Sequence, residues 1–543
     1  MTMTEPSERV EKMPFTDNVH IPFQSLTQCQ NEALKVLDHM VTGDAQIGIL
    51  KGYAGTGKTY LSTLVIKHLM DCQWAVKVMT PTGRAAKVLA TILKAQDAPI
   101  EPRTIHSTIY SILPQDYSKG QMSLFADTQA GEFFGPTFFI VDESSMVGDL
   151  KTERKEEGLH FGSGSLLHDV LEYVDLKHHP ENRILFVGDP GQLPPVKGNA
   201  ASPALHPYGI DMALPEGTGA VSIVETELTS IVRQAEGSLR EFVTDVRSAM
   251  QTGEPLPKDA RHDVQPLIPE HLTQRYLDLT HQGKKPESTM ILAHRNADVI
   301  DYNLTVRAAL HPDAMEPVVD DDILLVRRNV RMTDNGELDI SSSQEDLKNG
   351  TFVRAKGPVR MLPPRTVAIH GGKDSVTLRF VQSSIQFVSS PESDPLDVVL
   401  LTNMLHREYW KDYKRNYHLL EVALLTDFKN RMRDEFGWSP PKPEDAHYAE
   451  YCRKAKADKL LNALRVCYGY SVTVHSAQGG EWDHVIVDPQ NPARDWQQER
   501  HQSEYKRWVY TSATRAKEKL WFIKRSVMEP IEANIELGLE SED

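Results

Sequence analysis

The chain has 543 residues, of which 40% are hydrophobic and 25% are charged, a composition typical of a globular protein with roughly three or four domains. No apolar run approaches the roughly 18 residues of a membrane-spanning helix, which argues against a membrane protein. The net charge of −16 argues against a generally basic nucleic-acid-binding protein, so binding to nucleic acid would require a local basic channel.

The N-terminal segment 1–21 is polar and has no apolar stretch after a basic start, so it predicts a flexible lead rather than a secretory signal. The four cysteines form no CxxC pair, which argues against a zinc site or a disulfide framework and suits a reducing compartment. We therefore expect a cytoplasmic protein.

Short apolar runs that end in polar residues alternate with helical stretches from residue 46 onward, which predicts buried parallel strands. The first set of runs is 46–50, 75–80, 138–143 and 184–189. The second set is 289–294, 484–488 and 520–524. The pattern predicts two α/β cores, each with its ligands at the carboxyl edge of the sheet.

Two insertions interrupt these cores. The larger one, 301–482, contains the alternating segments 352–362 and 375–388, which predict an antiparallel β domain, and a charged aromatic helix at 408–438. The smaller one, 107–131, has turn residues between short runs, which is a hairpin signal.

The stretch from Gly52 to Thr59 matches G-x-x-x-x-G-K-[ST] between a predicted strand and a predicted helix. In such a loop, backbone N–H groups surround the phosphates, and Gly52, Gly55 and Gly57 allow the backbone to approach them closely. Lys58 supplies a cation to the β- and γ-phosphates, and the Thr59 hydroxyl is placed to bind Mg²⁺. The pattern predicts a nucleoside triphosphate site, with an ordinary glycine-rich turn as the alternative.

Asp142 and Glu143 follow an apolar strand, which places two carboxylates at the sheet edge that carries the glycine-rich loop. One carboxylate, assigned to Asp142, can hold Mg²⁺, and the other can accept a proton from the attacking water. The alternative is an acidic pair that favours a helix dipole. A kinase would share the loop but has no use for a second core, so we predict hydrolysis coupled to another process.

Two arginines are candidates for stabilising charge on the transferred phosphate. Arg233 lies just after the first core, and Arg515 precedes the last predicted strand of the second. An arginine delivered from a neighbouring domain would make hydrolysis depend on closure of the two cores. The alternative, which residue type alone favours, is that each is an ordinary surface side chain.

Eight motifs occur in the order of superfamily 1 helicases, and the resemblance that they carry covers roughly residues 22–525. They are GYAGTGKT (52–59), TPTGRAAKVL (80–89), TIHS (104–107), FFIVDESSM (138–146), FVGDPGQLPPV (186–196), LTSIVRQ (228–234), TVHSAQGGEWDHVIVD (473–488) and VYTSATRAK (509–517). The chain resembles the RecD/Dda branch, superfamily 1B, and its layout and the segment 349–355 are most similar to the phage Dda helicase. The resemblance implies an ATP-dependent DNA helicase.

This resemblance also implies roles for individual residues. Gln30 matches the glutamine that reads adenine, with Gln28 as the alternative, and Gln192 matches the sensor that links the γ-phosphate to DNA. Gln478 and Glu481 match residues of the second core near nucleotide and DNA. The positions that match those gripping the single strand are Thr82, Lys87, Thr104 and His106 in the first core and Thr473 and His475 in the second.

By the same resemblance, the smaller insertion is a strand-separating pin and the larger one contains a β domain similar to an SH3 fold. Phe125 is the candidate for an apolar tip that stacks on the last base pair of a fork, with Leu124, Met122 or an ordinary buried role for Phe125 as alternatives. The predicted fold class is α/β with two RecA-like parallel-sheet motor domains. The predicted domains are a lead (1–21), a first core (22–106 and 132–225), a pin (107–131), a second core (226–300 and 483–543) and an insertion domain (301–482).

The predicted function is ATP-driven translocation on single-stranded DNA, implied by the resemblance to run 5′ to 3′, with duplex unwinding and displacement of bound proteins. Two alternatives stay open: a translocase or remodeller subunit without unwinding of its own, and a nucleotide-gated DNA-binding module. We expect Mg²⁺ with ATP as substrate, and single-stranded DNA, DNA forks and single-strand-binding or replication proteins as partners. We also expect a monomer, without membrane association, in a bacterial or phage-infected cytoplasm.

Overall fold

The structure is a computed structural model that describes residues 13–17, 25–112, 125–128, 135–149, 160–195, 201–232, 237–328, 347, 349–441, 445–489 and 499–524. The chain divides into two compact units. Unit 1 contains the described residues of Met1–Gln234, Pro317–Cys467 and Gln478–Gly480, and unit 2 those of Ala235–Glu316, Tyr468–Ala477 and Glu481–Asp543. The domain boundaries drawn from the sequence stay predictions.

The core of unit 1 is a six-stranded, wholly parallel sheet in the order β3-β2-β6-β8-β1-β9. The strands between residues 47 and 228 are β1 (Ile47–Gly52), β2 (Ala75–Thr80), β3 (Arg103–Thr104), β4 (Tyr110–Ile112), β5 (Phe125–Thr128), β6 (Thr137–Val141), β7 (His160–Phe161), β8 (Arg183–Gly188) and β9 (Ile223–Leu228). The four apolar runs predicted in this region all form strands of this sheet, because a strand covered on both faces is apolar at nearly every position.

Helices cover both faces of this sheet. They are α1 (Gln28–Val41), α2 (Lys58–Asp71), α3 (Gly83–Ala95), α4 (Ile105–Ile109), α5 (Leu166–Val174) and α6 (Pro207–Ala213). Alternate residues of β1 pack into two separate buried clusters: Leu50 belongs to one, and Ile47 and Ile49 belong to the other. The result is a three-layer α/β core whose carboxyl edge carries the polar motifs.

A small second sheet in unit 1 has the strand order β4-β5-β7. β4 and β5 pair in antiparallel register, with Tyr110 opposite Thr128, and β5 pairs with β7 in parallel. The predicted hairpin therefore has two paired strands. The connection 113–124, with the alternative tip residues Leu124 and Met122, lies outside the described residues, and Phe125 is the first residue of β5.

The first part of unit 2 follows unit 1 in the chain. Its elements are α7 (Ser238–Thr252), β10 (Val264–Leu267), α8 (Leu272–Leu279), β11 (Thr289–Ala293) and α9 (Asn296–Leu310). The chain then enters the large insertion, whose described residues from 317 to 467 belong to unit 1.

That insertion contains a closed barrel of five strands in the order β12-β13-β16-β17-β18. Its strands and helices are β12 (Ile323–Val326), β13 (Phe352–Met361), β14 (Arg365–Ile369), β15 (Asp374–Leu378), β16 (Phe380–Phe387), β17 (Leu396–Leu401), α10 (Tyr413–Phe436), α11 (Tyr448–Ala457) and β18 (Leu464–Tyr468). β14 and β15 form a separate antiparallel hairpin. The resemblance of the barrel to an SH3 fold stays a prediction.

The remaining elements complete unit 2. They are β19 (Ser471–Thr473), α12 (Val474–Ala477), β20 (Trp482–Val487), α13 (Glu499–Ala513) and β21 (Ala516–Ile523). The sheet of unit 2 has the order β10-β21-β20-β11-β19, and its paired strands are parallel. The predicted fold class, α/β with two parallel-sheet RecA-like cores, is confirmed. Among the described residues, no helix is long and apolar enough to cross a membrane.

A buried ion pair joins the barrel to α10. Arg465 on β18 is 1% exposed, and its Nε donates to Glu421 Oε1 at 3.0 Å, while Arg328 donates to the other carboxylate oxygen at 2.9 Å. Removing the carboxylate would leave the Arg465 guanidinium buried without its counter-charge. We expect Glu421→Ala to lower the free energy of unfolding by about 3 to 5 kcal/mol, measured by urea denaturation.

The matched control is Glu450→Ala. Glu450 also pairs with an arginine, Arg453, but the Arg453 side chain is 70% exposed. Solvent screens this pair, so the control should lower the free energy of unfolding only slightly. Equal losses in the two variants would contradict the role of burial at Arg465.

Candidate nucleotide site and neighbouring motifs

The glycine-rich loop runs from the end of β1 at Gly52 to the start of α2 at Lys58. Gly55 and Gly57 have φ angles of +79° and +84°, a region in which glycine is the least strained residue. A Cβ on Gly57 would lie 2.5 Å from Gln30 Nε2, so a larger residue there would displace the Gln30 amide. The loop thus has the strand, turn and helix geometry that binds phosphate at a helix N-terminus.

Hydrogen bonds within unit 1 hold this loop in shape. The Lys58 ammonium donates to the Tyr53 carbonyl at 3.1 Å, and the Thr56 hydroxyl donates to the same oxygen at 2.8 Å. The N–H of Val232 donates to the Gly55 carbonyl at 2.7 Å. The segment that leads to Arg233 therefore touches the loop, although Arg233 itself lies outside the described residues.

Gln30 is buried beside the loop. Its Nε2 donates to the Thr56 carbonyl at 3.2 Å, and its Oε1 accepts from the Thr27 N–H at 3.0 Å as part of a capping box at the start of α1. Gln28, the alternative, is exposed and donates to Glu32 on the surface of α1. Gln30 is thus the glutamine near the loop, and any contact of its amide with adenine would share atoms that already bond the protein.

Asp142 and Glu143 follow β6, on the carboxyl edge of the sheet that also carries the loop. Glu143 has a φ of +53°, and its N–H donates to Asp142 Oδ1 at 2.9 Å. Its Oε2 is buried and has no hydrogen-bond partner among the described residues. Strained backbone is a feature of functional sites, and a buried carboxylate oxygen without a donor is an acceptor for a water or ligand proton.

Burial raises the pKa of Asp142 to about 7, the adjacent Glu143 carboxylate acts in the same direction, and Lys58 lowers it. The charge of Lys58 thus acts on the Asp142 carboxylate, so the loop and the first acidic residue lie close together. The structure therefore brings together the residues that the sequence placed in two separate motifs.

Gln192 follows β8, the strand between β6 and β1, and its side chain is 4% exposed. Its N–H donates to the Asp189 carbonyl, and the Asp189 carboxylate fixes the same turn by accepting from the Gly191 N–H at 2.8 Å. Gln192 thus shares the sheet edge with the loop and the acidic pair. Gln478 belongs to unit 1 and donates to the Leu193 carbonyl at 3.2 Å, whereas Glu481 belongs to unit 2.

Three of the predicted DNA-gripping residues are threonines that cap helices. The hydroxyls of Thr82, Thr104 and Thr473 each accept a hydrogen bond from the N–H three residues on, at 3.2, 3.2 and 3.3 Å. Thr82 follows β2, Thr104 is the last residue of β3, and Thr473 is the last residue of β19. All three therefore lie at the carboxyl ends of parallel strands. A capping role is their local structural function, and it orients each hydroxyl.

The basic residues of α3 lie against the barrel within unit 1. The Lys87 ammonium is 4.4 Å from the Phe387 ring centroid, and the Arg84 guanidinium is 5.1 Å from that of Phe352. These cation–π contacts tie the second motif to the insertion. In α4, the His106 ring lies 5.5 Å from that of Tyr110, and burial lowers the pKa of His106, which keeps it neutral at pH 7.

In unit 2, an aromatic cluster at the carboxyl edge of the sheet was missed by the sequence reasoning. The ring centroids of His294 and Trp508 lie 6.0 Å apart, and Tyr505 stacks on Trp508 with a centroid distance of 6.3 Å. Burial, and then His294, lowers the pKa of His475, so the predicted DNA contact His475 belongs to the same surroundings. The signal that could have found it is the polar His294 at the end of an apolar strand.

Arg515 is only 4% exposed, so it is not the surface side chain that residue type favoured. Its Nε donates to the Thr511 carbonyl at 3.1 Å and its Nη2 to the Thr514 hydroxyl at 3.0 Å. Burying a guanidinium is costly unless it is hydrogen-bonded, and these contacts fix the side chain at the end of α13.

Cys29, next to Gln30, has an unusual thiol. Partial burial raises its pKa, but hydrogen bonds with Ser230 and Thr27 outweigh that effect and lower the pKa from the ordinary 9.0 to about 7. Because the thiolate is the nucleophile, we expect the iodoacetamide rate at Cys29 to rise with pH to a half-maximum at about pH 7. Mass spectrometry of the labelled peptide measures this rate, and Cys29→Ser is the control. A half-maximum near 9 would contradict the hydrogen-bonded environment.

Two family models match the chain. An AAA domain matches residues 25–156, which include the loop and the acidic pair, and a UvrD-like helicase C-terminal domain matches residues 468–523, which include Arg515.

Individual proteins also match. The chain is 22% identical over 528 residues to an uncharacterized protein of Acanthamoeba polyphaga mimivirus, covering 92% of this chain and 99% of the relative. It is 29% identical over 181 residues to the RecBCD enzyme subunit RecD of Haemophilus influenzae, covering 30% of this chain and 25% of that subunit. The solved Pif1 helicase from Bacteroides in complex with ADP-AlF3 and single-stranded DNA is 13% identical, covers 94% of this chain and 96% of that one, and has a TM-score of 0.42.

The particular closeness to Dda stays a prediction. The AAA and UvrD-like helicase matches cover the two ends of the ordered motif series, and the RecD match falls in the branch that the motifs indicated. These matches support a superfamily 1B helicase and, as its enzyme class, ATP-dependent DNA helicase activity.

Proposed function

We propose that this helicase uses ATP to move 5′ to 3′ along single-stranded DNA, unwinding forks and displacing bound proteins. The observation that carries the proposal is the edge of the unit 1 sheet, where the loop that ends at Lys58 lies with the buried Asp142 and the half-buried Glu143. The direction rests on the resemblance of the ordered motifs to the RecD/Dda branch.

In this proposal, Glu143 accepts the proton of the attacking water, because its Oε2 is a buried acceptor with no partner among the described residues. Lys58 stabilises the phosphates, and Arg233 and Arg515 stabilise the charge that develops on the transferred phosphoryl group. Gln192, on the same sheet edge, couples the state of the transferred phosphoryl group to the DNA-binding surface. Gln30 reads adenine, and Gln478 and Glu481 act near nucleotide and DNA.

Mg²⁺ would be held by the Asp142 carboxylate and the Thr59 hydroxyl, and it would neutralise charge on the phosphates. The donor set fits, because hard oxygen ligands suit Mg²⁺ and one or two protein ligands suffice when phosphates and water supply the rest.

The single strand would run along both sheet edges. Thr82, Lys87, Thr104 and His106 would hold its backbone in the first core, and Thr473 and His475 in the second. The capping hydroxyls are already oriented, and threonine hydroxyls are among the groups that contact phosphate oxygens in protein–DNA complexes. Phe125 remains the proposed strand-separating residue of the pin. We further propose a cytoplasmic monomer that cooperates with single-strand-binding or replication proteins.

The deciding experiment is steady-state ATP hydrolysis by the full chain with and without single-stranded DNA, followed by unwinding of forks that carry only a 5′ or only a 3′ tail. Stimulated hydrolysis and unwinding from the 5′ tail are expected. Hydrolysis indifferent to DNA would contradict the motor and favour a nucleotide-gated binding module. Stimulated hydrolysis without strand separation on either fork would favour a translocase or remodeller subunit.

A further inference from the structure

Asp169, on α5, is a fully buried carboxylate that none of the helicase motifs includes. Its Oδ2 accepts a 2.5 Å hydrogen bond from the hydroxyl of Tyr110. Its two oxygens also accept from the backbone N–H of Ser163, at 3.0 and 3.2 Å. A buried carboxylate is costly unless it is satisfied in this way, so the position requires an explanation.

The partners of Asp169 mark the two edges of the small sheet β4-β5-β7. Tyr110 is the first residue of β4, and Ser163 lies two residues after the end of β7. Between them, Gly162 has a φ of +45°, and a Cβ there would lie 2.2 Å from Asp169 Oδ2 and 2.9 Å from a ring carbon of Tyr110. A single carboxylate on a core helix thus holds both outer strands, and a glycine permits the approach.

Tyr110 also forms the junction between α4 and the hairpin. It is the C-cap of α4, its N–H donates to the His106 carbonyl, and no residue separates α4 from β4. Burial and the Asp169 carboxylate both raise the pKa of Tyr110, so its hydroxyl remains a protonated donor at neutral pH. The hydrogen bond therefore fixes the point at which the hairpin leaves the first core.

We propose that Asp169 and Tyr110 are positioning residues for strand separation, which fix the hairpin sheet to the first core so that movement of the core is transmitted to the fork. The inference rests on the proposed unwinding function. It predicts that loosening this bond uncouples unwinding from translocation. A residue that served stability alone would affect both activities together.

The test is Tyr110→Phe, which keeps the buried ring and removes the donor. Three readouts are needed: DNA-stimulated ATP hydrolysis, displacement of streptavidin from the end of single-stranded DNA, and fork unwinding. Because a hydrogen bond to a buried charge is lost, we expect fork unwinding to fall about tenfold, with the other two activities within about twofold of the unmodified chain. Gly162→Ala, which crowds the same bond, should give the same split.

The matched control is Tyr173→Phe. Tyr173 is buried in the same apolar cluster as Tyr110, but its hydroxyl accepts a hydrogen bond from Lys77 at 2.9 Å. The Tyr173→Phe variant should therefore have the same ratio of unwinding to translocation as the unmodified chain. Unaltered unwinding in Tyr110→Phe, or an equal fall in all three activities, would overturn the inference. An unmodified chain that translocates but does not unwind would instead refute the proposed function.

Discussion

Lys58→Ala is expected to lower DNA-stimulated ATP hydrolysis by about 10² to 10³-fold, the effect of removing one preorganised charge donor from a phosphoryl-transfer site. The ammonium lies at the N-terminus of α2, where it donates to the Tyr53 carbonyl and lowers the pKa of the buried Asp142. Alanine removes the cation without disturbing the glycines that shape the loop. Steady-state hydrolysis at saturating single-stranded DNA measures the loss.

Lys51→Ala is the matched control for this experiment. Lys51 is the neighbouring cation on β1, but it pairs at the surface with Glu225 on β9. Its loss should change hydrolysis by less than about twofold, since exposed ion pairs contribute little. If both variants retained full activity, the site for ATP would have to lie elsewhere.

Glu143→Gln is expected to lower single-turnover hydrolysis by about 10² to 10⁴-fold while the protein still binds ATP and single-stranded DNA. Glutamine has the shape of glutamate, but it cannot take a proton from water. The buried Oε2 of Glu143, which has no hydrogen-bond partner among the described residues, is the atom that would do so. Quenched-flow hydrolysis, with nucleotide binding measured separately, distinguishes a failure of chemistry from a failure of binding.

The control for the second experiment is Glu225→Gln, which neutralises the carboxylate that pairs with Lys51. This variant should hydrolyse ATP at the normal rate. A Glu143→Gln protein that hydrolysed normally would assign the proton transfer to another group. One that failed to bind nucleotide would show that Glu143 shapes the site rather than acting in the chemical step.

The strands and the positions of the candidate site residues at the sheet edge could be predicted because their signals are local. A strand covered on both faces, such as β6, is apolar throughout and ends in polar residues, so Asp142 could be placed at the sheet edge without a structure. β9, by contrast, was not predicted. Its sequence IVETEL alternates with charged residues, because β9 lies at the edge of the sheet and is covered only in part.

Contacts distant in sequence could not be predicted. The bond from Tyr110 to Asp169 joins residues 59 positions apart, and neither residue type signals the other. The barrel closes by pairing β17 with β18 across α10 and α11, and its residues up to 467 belong to unit 1 although the chain reaches them after starting unit 2. Such pairings depend on the tertiary fold, which periodicity does not encode.

The strand pairing of unit 2 has a consequence for synthesis on the ribosome. β10 pairs with β21, where Val264 lies opposite Leu520, so one partner emerges 256 residues before the other. At 5 to 20 residues per second, β10 is synthesised roughly 10 to 50 s before its neighbour. During that interval unit 2 cannot complete its sheet, so a nascent chain halted before residue 516 should be a substrate for chaperones and proteases, even with the core of unit 1 already folded.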